Sequence, residues 1–337
     1  MTTPPGAVRS TDVTGAAPPA AINVPTVAAD GRMPAAPAQP GSGERLVSVL
    51  VPAFNHERWV EECLDSVAAS THGRLELLVI DDGSSDMTGH IARRWVEAHR
   101  DRFERCEFRS RPNQGINSTL NELVSWSSGD YVCPVASDDR LLVDGIARRV
   151  EFLECRSDLD AIATDVELID ESGRVVAPSA LRANGYRTRG LRSTRLLGVF
   201  LASWTAPFSH QFFRGSWSRA NPYPADLGYE DFWCALTLSK DRRMAILPAA
   251  TMQYRVPSGR THGRMERGGL HQTHAASLEA ALGDRRMRPS IGIARAWTRR
   301  TSAQPDGDVV GHLLHALLIG CAIRHRRLPA LLGRAPS

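Results

Sequence analysis

Lysine is almost missing from this 337-residue chain: Lys240 is the only one among 41 basic residues. With alanine abundant, the arginine bias reads as the base composition of a GC-rich genome and carries no functional meaning. Excess charge is missing as well. The formal net charge is +4, too small to mark a nucleic-acid binder. The six cysteines, Cys63, Cys106, Cys133, Cys155, Cys234 and Cys321, form no CxxC pair and follow no regular spacing. That argues against a zinc site and against a disulfide framework. Most lie in apolar stretches and read as small buried hydrophobes, which fits a reducing, cytoplasmic compartment. No basic segment followed by an apolar one opens the chain, so no secretory signal is expected. There is no internal repeat.

What is present divides into three parts. Residues 1–43 are rich in Pro, Ala, Gly and Thr and lack apolar periodicity. Such a segment cannot bury enough surface to offset its ordering entropy, so a disordered tail is expected. Residues 44–262 alternate strand and helix signals. Residues 263–337 are arginine-rich and then apolar, and read as a helical extension. Within it Val309–Ile323 is an apolar stretch of fifteen residues interrupted by His312 and His315 and followed by Arg324-His325-Arg326-Arg327. That is too short to cross a bilayer. It suits either a helix packed on the preceding domain or one lying in a membrane interface, a peripheral contact at the inner face.

The middle part reads as repeated βα units. Leu46–Pro52 is a valine-rich run of the kind buried in parallel sheets. Trp59, Val60, Cys63, Leu64 and Val67 then share one helical face. Leu75–Ile80 is a second strand, Thr88–Ala98 a helix, Cys106–Phe108 a weak strand, Asn117–Trp126 a helix and Tyr131–Val135 a strand. Alternation of this kind implies a mostly parallel sheet flanked by helices, with right-handed crossovers. Ligands of such sheets bind at the carboxyl ends of strands. Three segments fall there: Ala53-Phe54-Asn55, Asp81-Asp82-Gly83-Ser84-Ser85 and Ser137-Asp138-Asp139. Adjacent carboxylates at Asp138 and Asp139 repel, so a cation is a natural partner. Taken alone the pair equally suits a solvated turn or the N-cap of a helix before Leu141. Asp81 and Asp82 suit nucleoside hydroxyls and N–H groups, or an Asx turn.

In order along the chain, VSVLVPAFNHERWVEECLDSV, ELLVIDDGSSDMT, NQGINSTLNE and SGDYVCPVASDD resemble family 2 glycosyltransferases of the GT-A fold. SHQFFRGSW and GYEDFWCALTL resemble the acceptor-side segments of that family. The resemblance implies a Rossmann-like α/β domain that binds a nucleoside-diphosphate sugar. Pro52, Phe54 and Glu57 would line the nucleotide pocket. Asp82 would bond the base, with Asp81 supporting the turn, and Asn113 and Gly115 would close one side. Asp138 and Asp139 occupy the DxD-type site, where Asp139 would hold a divalent cation, Mg2+ or Mn2+, on the diphosphate. Asp231, in the pair Glu230-Asp231, matches the catalytic base. Three departures stand out. Ser137 replaces a frequent first aspartate. Thr237 stands where relatives usually carry arginine. Tyr254-Arg255-Val256-Pro257 lacks the histidine of a Tyr-Arg-x-His motif, the nearest being His262.

The implied chemistry is a single inverting displacement. The cation assists departure of the diphosphate, and Asp231 takes the proton of an acceptor hydroxyl. Partial burial should raise the pKa of that base. The acceptor would be a glycan, a lipid-linked molecule or a small molecule, in cell-surface glycan, polysaccharide or glycoconjugate synthesis. Trp204, His210 and Gln211 suit an acceptor sugar, or else Trp204 packs under the sheet and His210 is a satisfied core group. Two other classes use comparable residues. A nucleotidyltransferase would show a glycine-rich basic loop after the first strand, where this chain reads VPAFNHE. A non-catalytic sugar-nucleotide-binding protein would have no use for two acid pairs.

Overall fold

The computed structural model describes residues 44–183, 211–224, 230–240 and 243–256. The expectations for residues 1–43, for Trp204, His210 and His262, and for residues 263–337 lie outside them.

Strand β1 (Val47–Ala53) and strand β2 (Leu75–Asp81) carry the longest apolar runs, and nearly every residue of both is buried. That is the pattern of strands covered on both faces. They pair in parallel, and β2 pairs in parallel with β3 (Arg105–Ser110). On its other side β1 pairs in parallel with β4 (Tyr131–Pro134). The chain continues through β5 (Arg140–Leu141), β6 (Ala161–Ile169), β7 (Val175–Ala177), β8 (Gln211–Arg214) and β9 (Met244–Arg255). The sheet order is β3-β2-β1-β4-β8-β6-β9-β5, with β7 on β6. Strands β1 to β4, β6 and β9 run one way, and β5, β7 and β8 run against them. The sheet is therefore mostly parallel, with antiparallel insertions in its second half.

Helix α1 (Val60–Ala68) buries Val60, Cys63, Leu64 and Val67, the face read from the sequence. Helix α2 (Thr88–Ala98) has the expected bounds. Helix α3 (Ile116–Trp126) buries Leu120, Leu123 and Val124, and α4 (Gly145–Glu154) comes next. The short α5 (Ala180–Ala183) and α6 (Gly215–Ala220) precede α7 (Glu230–Lys240). Helix α7 is seated by aromatic contacts. Phe213 stacks on Trp217 at 5.3 Å between centroids, and Trp217 and Tyr223 lie 6.4 and 6.2 Å from Trp233. Cys63, Cys106, Cys133, Cys155 and Cys234 are free thiols. Cys155 is exposed, while the other four are buried, in keeping with the reading of most of them as small buried hydrophobes.

Candidate active site

The first two loops at the carboxyl edge staple each other. Asn55 adopts a left-handed φ of 53°, a region asparagine tolerates better than most residues. Its N–H donates to Ser84 Oγ at 2.9 Å, and its Oδ1 accepts from Ser85 N–H at 2.8 Å. Glu57 accepts from Met87 N–H at 2.9 Å, while its own N–H donates to Asp86. In this structure Glu57 thus fastens the entry to α2. Phe54 is 44% exposed and Pro52 is half-buried at the end of β1.

Asp81 and Asp82 are both buried. The Asp81 carboxylate accepts from Ser84 N–H at 3.2 Å and from Ser110 Oγ at 3.0 Å, tying the turn to β3. Asp82 holds the next loop. It pairs with Arg111 and accepts from the N–H groups of Gln114 at 2.9 Å and Gly115 at 3.0 Å. Asn113 Oδ1 also accepts from Gly115 N–H, at 3.2 Å. Gly83, at φ 77°, could bear no side chain: a Cβ would meet the main-chain nitrogen of Asn113 at 2.6 Å. These contacts bring Asp82, Asn113 and Gly115 to one place.

After β4 comes Ser137-Asp138-Asp139. The next element is strand β5, paired antiparallel with β9, so the acid pair does not cap a helix. Ser137 is fully buried and shares a hydrogen bond with His56 Nδ1 at 2.9 Å, and the same nitrogen lies 3.8 Å from Asp138 Oδ1. Asp138 is partly exposed, while Asp139 is buried. Burial pushes the Asp139 carboxyl well above the usual carboxylate range, and the charge of Asp138 adds to the shift. Among the described residues, no three His, Cys, Asp or Glu side chains form a metal cage. Two adjacent carboxylates whose charge is costly to hold fit a hard divalent cation shared with substrate phosphates.

Arg255, singled out in the sequence only as part of a departing motif, organises this region. Its N–H donates to Asp139 Oδ1 at 2.9 Å, and its Nε donates to the Asp138 carbonyl at 2.8 Å. Nη1 reaches the carbonyls of Asp170 and Glu171 at 3.0 and 3.2 Å, and Nη2 reaches Glu62 at 2.6 Å. Nothing local in the sequence announces this role, nor that of His56.

Glu230 and Asp231 open α7. Gln211 Nε2 donates to the Asp231 carbonyl at 2.6 Å, so Gln211 fixes the helix start. Burial pushes the Glu230 carboxyl up. Tyr254, next to the end of β9, lies within reach of charges from both acidic segments. Its phenol is raised first by burial and then by the charges of Asp139, Asp138 and Asp231. The fold thus gathers Asp82, Asp138, Asp139 and Asp231 on one edge of the sheet, from segments up to 149 positions apart in the sequence. No helix of the described residues is long and apolar enough to cross a membrane.

Known proteins resemble this chain in sequence and in fold. Chondroitin synthase of Escherichia coli is 32% identical over 141 residues, 42% of this chain and 19% of that protein. The chain spans less than two thirds of the curated relatives it matches, 61% in a longer-matching case. Among solved structures, S. aureus TarS in complex with UDP-GlcNAc gives a TM-score of 0.58 at 19% identity, covering 85% of this chain and 83% of that one. A mannosyltransferase from Pyrobaculum calidifontis, in complex with GDP-Man and Mn2+, gives 0.54 at 20% identity over 86% and 78%. At such identities the structures establish the GT-A fold. The family model described as glycosyl transferase family 2 matches residues 48–216, half of the chain, and the chain belongs to that family.

Proposed function

We propose that the chain moves a glycosyl group from a nucleoside-diphosphate sugar to an acceptor hydroxyl, with inversion and with a divalent cation, Mg2+ or Mn2+. The observation that carries this reading is the placing of Asp138 and Asp139 after β4 and of Asp231 at the start of α7, all three near enough to Tyr254 for their charges to act on its phenol. On this reading the first two would face a diphosphate and Asp231 an acceptor hydroxyl. Asp138 and Asp139 would hold the cation, whose chemistry is to neutralise the diphosphate as it leaves. Asp82 keeps the 113–115 loop against the nucleoside side. Its carboxylate already accepts three N–H groups, which leaves about one of its roughly four acceptor directions for a base. Asp231 accepts the proton of the attacking hydroxyl, help worth about 10²- to 10⁴-fold.

A polysaccharide or another glycan is the acceptor class we favour, because a relative bears the name chondroitin synthase. The nucleotides in the TarS and Pyrobaculum structures support a nucleotide-linked donor. The test is a panel of UDP-, GDP- and dTDP-sugars with Mn2+, scored by thermal shift and by release of the nucleoside diphosphate, with and without glycan acceptors. Acceptor-stimulated release from one donor, lost in excess chelator, is expected. Release of inorganic diphosphate from a nucleoside triphosphate and a sugar phosphate would indicate a nucleotidyltransferase instead.

A further inference from the structure

Two asparagines on α3 grip a segment about a hundred positions further along the chain. Tyr223 N–H donates to Asn121 Oδ1 at 2.8 Å, and Asn121 Nδ2 donates back to the Tyr223 carbonyl at 2.8 Å. One turn earlier, Asn117 Nδ2 donates to the Pro224 carbonyl at 2.8 Å. Tyr223 is buried, so the Asn121 amide satisfies both of its main-chain groups where water cannot. The pairing has the form of a strand ladder, with a side chain in place of the second backbone.

Tyr223 in turn seats α7. Its ring lies 6.2 Å from that of Trp233, and Tyr223, Trp233 and Cys234 share one buried cluster, within reach of the charges of Glu230 and Asp231. On its other side the helix start is fixed by Gln211 through the Asp231 carbonyl. Helix α3 starts just after Gly115, whose N–H donates to Asp82. One helix of eleven residues therefore connects the nucleoside loop at its first turn to the seat of the second acid pair further along.

We propose that Asn121 and Asn117 are positioning residues for Asp231, acting through Tyr223. The proposal rests on reading Asp231 as the base. A misplacement of about 1 Å at a reacting group can cost on the order of 10²-fold in rate. Three short bonds to consecutive main-chain groups hold this segment to α3, beside the packing of Tyr223 in one cluster with Leu120, Leu123 and Val124. The grip on Asp82 lies six positions before Asn121, about 9 Å along the helix, so changes at Asn121 should spare nucleotide binding.

The test compares Asn121→Ala, Asn121→Asp, Asn117→Ala and Asp231→Asn with the parent protein. Readouts are kcat and donor KM for the donor found in the panel, affinity for UDP and GDP with Mn2+ by calorimetry, and melting temperature. Asn121→Ala should lower kcat about ten- to a hundredfold, with donor KM and nucleotide affinity within about twofold. Asn121→Asp still accepts from Tyr223 N–H and should recover part of the rate. If Asn121→Ala does not fold, Asn117→Ala and Asn121→Asp, which each keep two of the three bonds, carry the same comparison. A lower melting temperature with unchanged kcat per folded molecule in these variants overturns the proposal. If Asp231→Asn itself turns over normally, it is the assignment of the base that fails, and the positioning role goes with it.

Discussion

The main-chain N–H of Arg255 donates to Oδ1 of Asp139 at 2.9 Å, so the residue that carries the buried guanidinium also holds the buried carboxylate. The guanidinium is 2% exposed, and its ion partner Glu62 is 39% exposed. Three main-chain carbonyls, of Asp138, Asp170 and Glu171, depend on it as well. Arg255→Ala would remove all of these while leaving the N–H to Asp139. We expect a loss of about 3 kcal/mol, the low end for a broken buried pair because Glu62 still meets water. Arg255→Lys keeps a charge for Glu62 but not the fork, and should fall between. Urea unfolding of the three proteins checks the order, and an Arg255→Ala loss under about 1 kcal/mol would show the network to be incidental.

Glu230 sets a pH dependence. Burial raises its folded pKa above the unfolded value, so the folded state holds the proton to higher pH than the unfolded chain does. Stability from this group is then largest below the unfolded value, about 4.3, and is lost as pH rises through the raised folded value. At neutral pH the group is a net burden on the fold. Glu230→Gln should therefore melt higher than the parent at pH 7, with the difference shrinking as the pH approaches 4. A difference that is flat across this range would mean that burial does not govern the group.

The first half of the sheet was legible in the sequence, and the second half much less so. β1, β2, α1 and α2 declare themselves because burial on two faces, or on one helical face, imposes a local repeat of apolar residues. β5 has two residues and β8 four, too few to carry a period of any kind. Asp138-Asp139 was legible as a residue type at a strand end, whereas Glu230-Asp231 stood out only through the family resemblance and opens a helix. Their supports were not legible. Gln211 suited an acceptor sugar by its residue type, and the structure buries it against the Asp231 carbonyl. Arg255 and Asn121 work through main-chain groups 84 to 117 positions away, or 102 in the case of Asn121. A contact between a side chain and a distant backbone leaves no mark in local composition.

Asp139→Asn tests the cation. The amide oxygen can still accept from Arg255 N–H, so the loop should keep its shape, but one of two adjacent carboxylates is gone. Affinity for UDP or GDP in the presence of Mn2+ should fall at least about tenfold, since a cation held by one or two carboxylates loses half its protein charge. Affinity in excess chelator should be weak and equal for both proteins. Calorimetry with and without Mn2+ reads both. Equal affinities in Mn2+ would remove Asp139 from the cation site.

Asp231→Asn separates rate from binding. The variant keeps the size of the side chain and the main-chain carbonyl that Gln211 grips. It cannot take a proton from an acceptor. A group that acts only in the transition state lowers turnover without weakening the ground-state complex. We therefore expect kcat to fall about 10²- to 10⁴-fold, with donor KM and nucleotide affinity close to the parent values. Asp139→Asn should show the reverse emphasis, with nucleotide affinity lost first. If Asp231 served only to favour the start of α7 through the helix dipole, Asp231→Asn would cost about 0.3–1 kcal/mol of stability and leave turnover per folded molecule intact. Measuring kcat, KM and melting temperature on the same preparation distinguishes the two, and a folded variant with near-parental kcat would move the search for the base to Glu230.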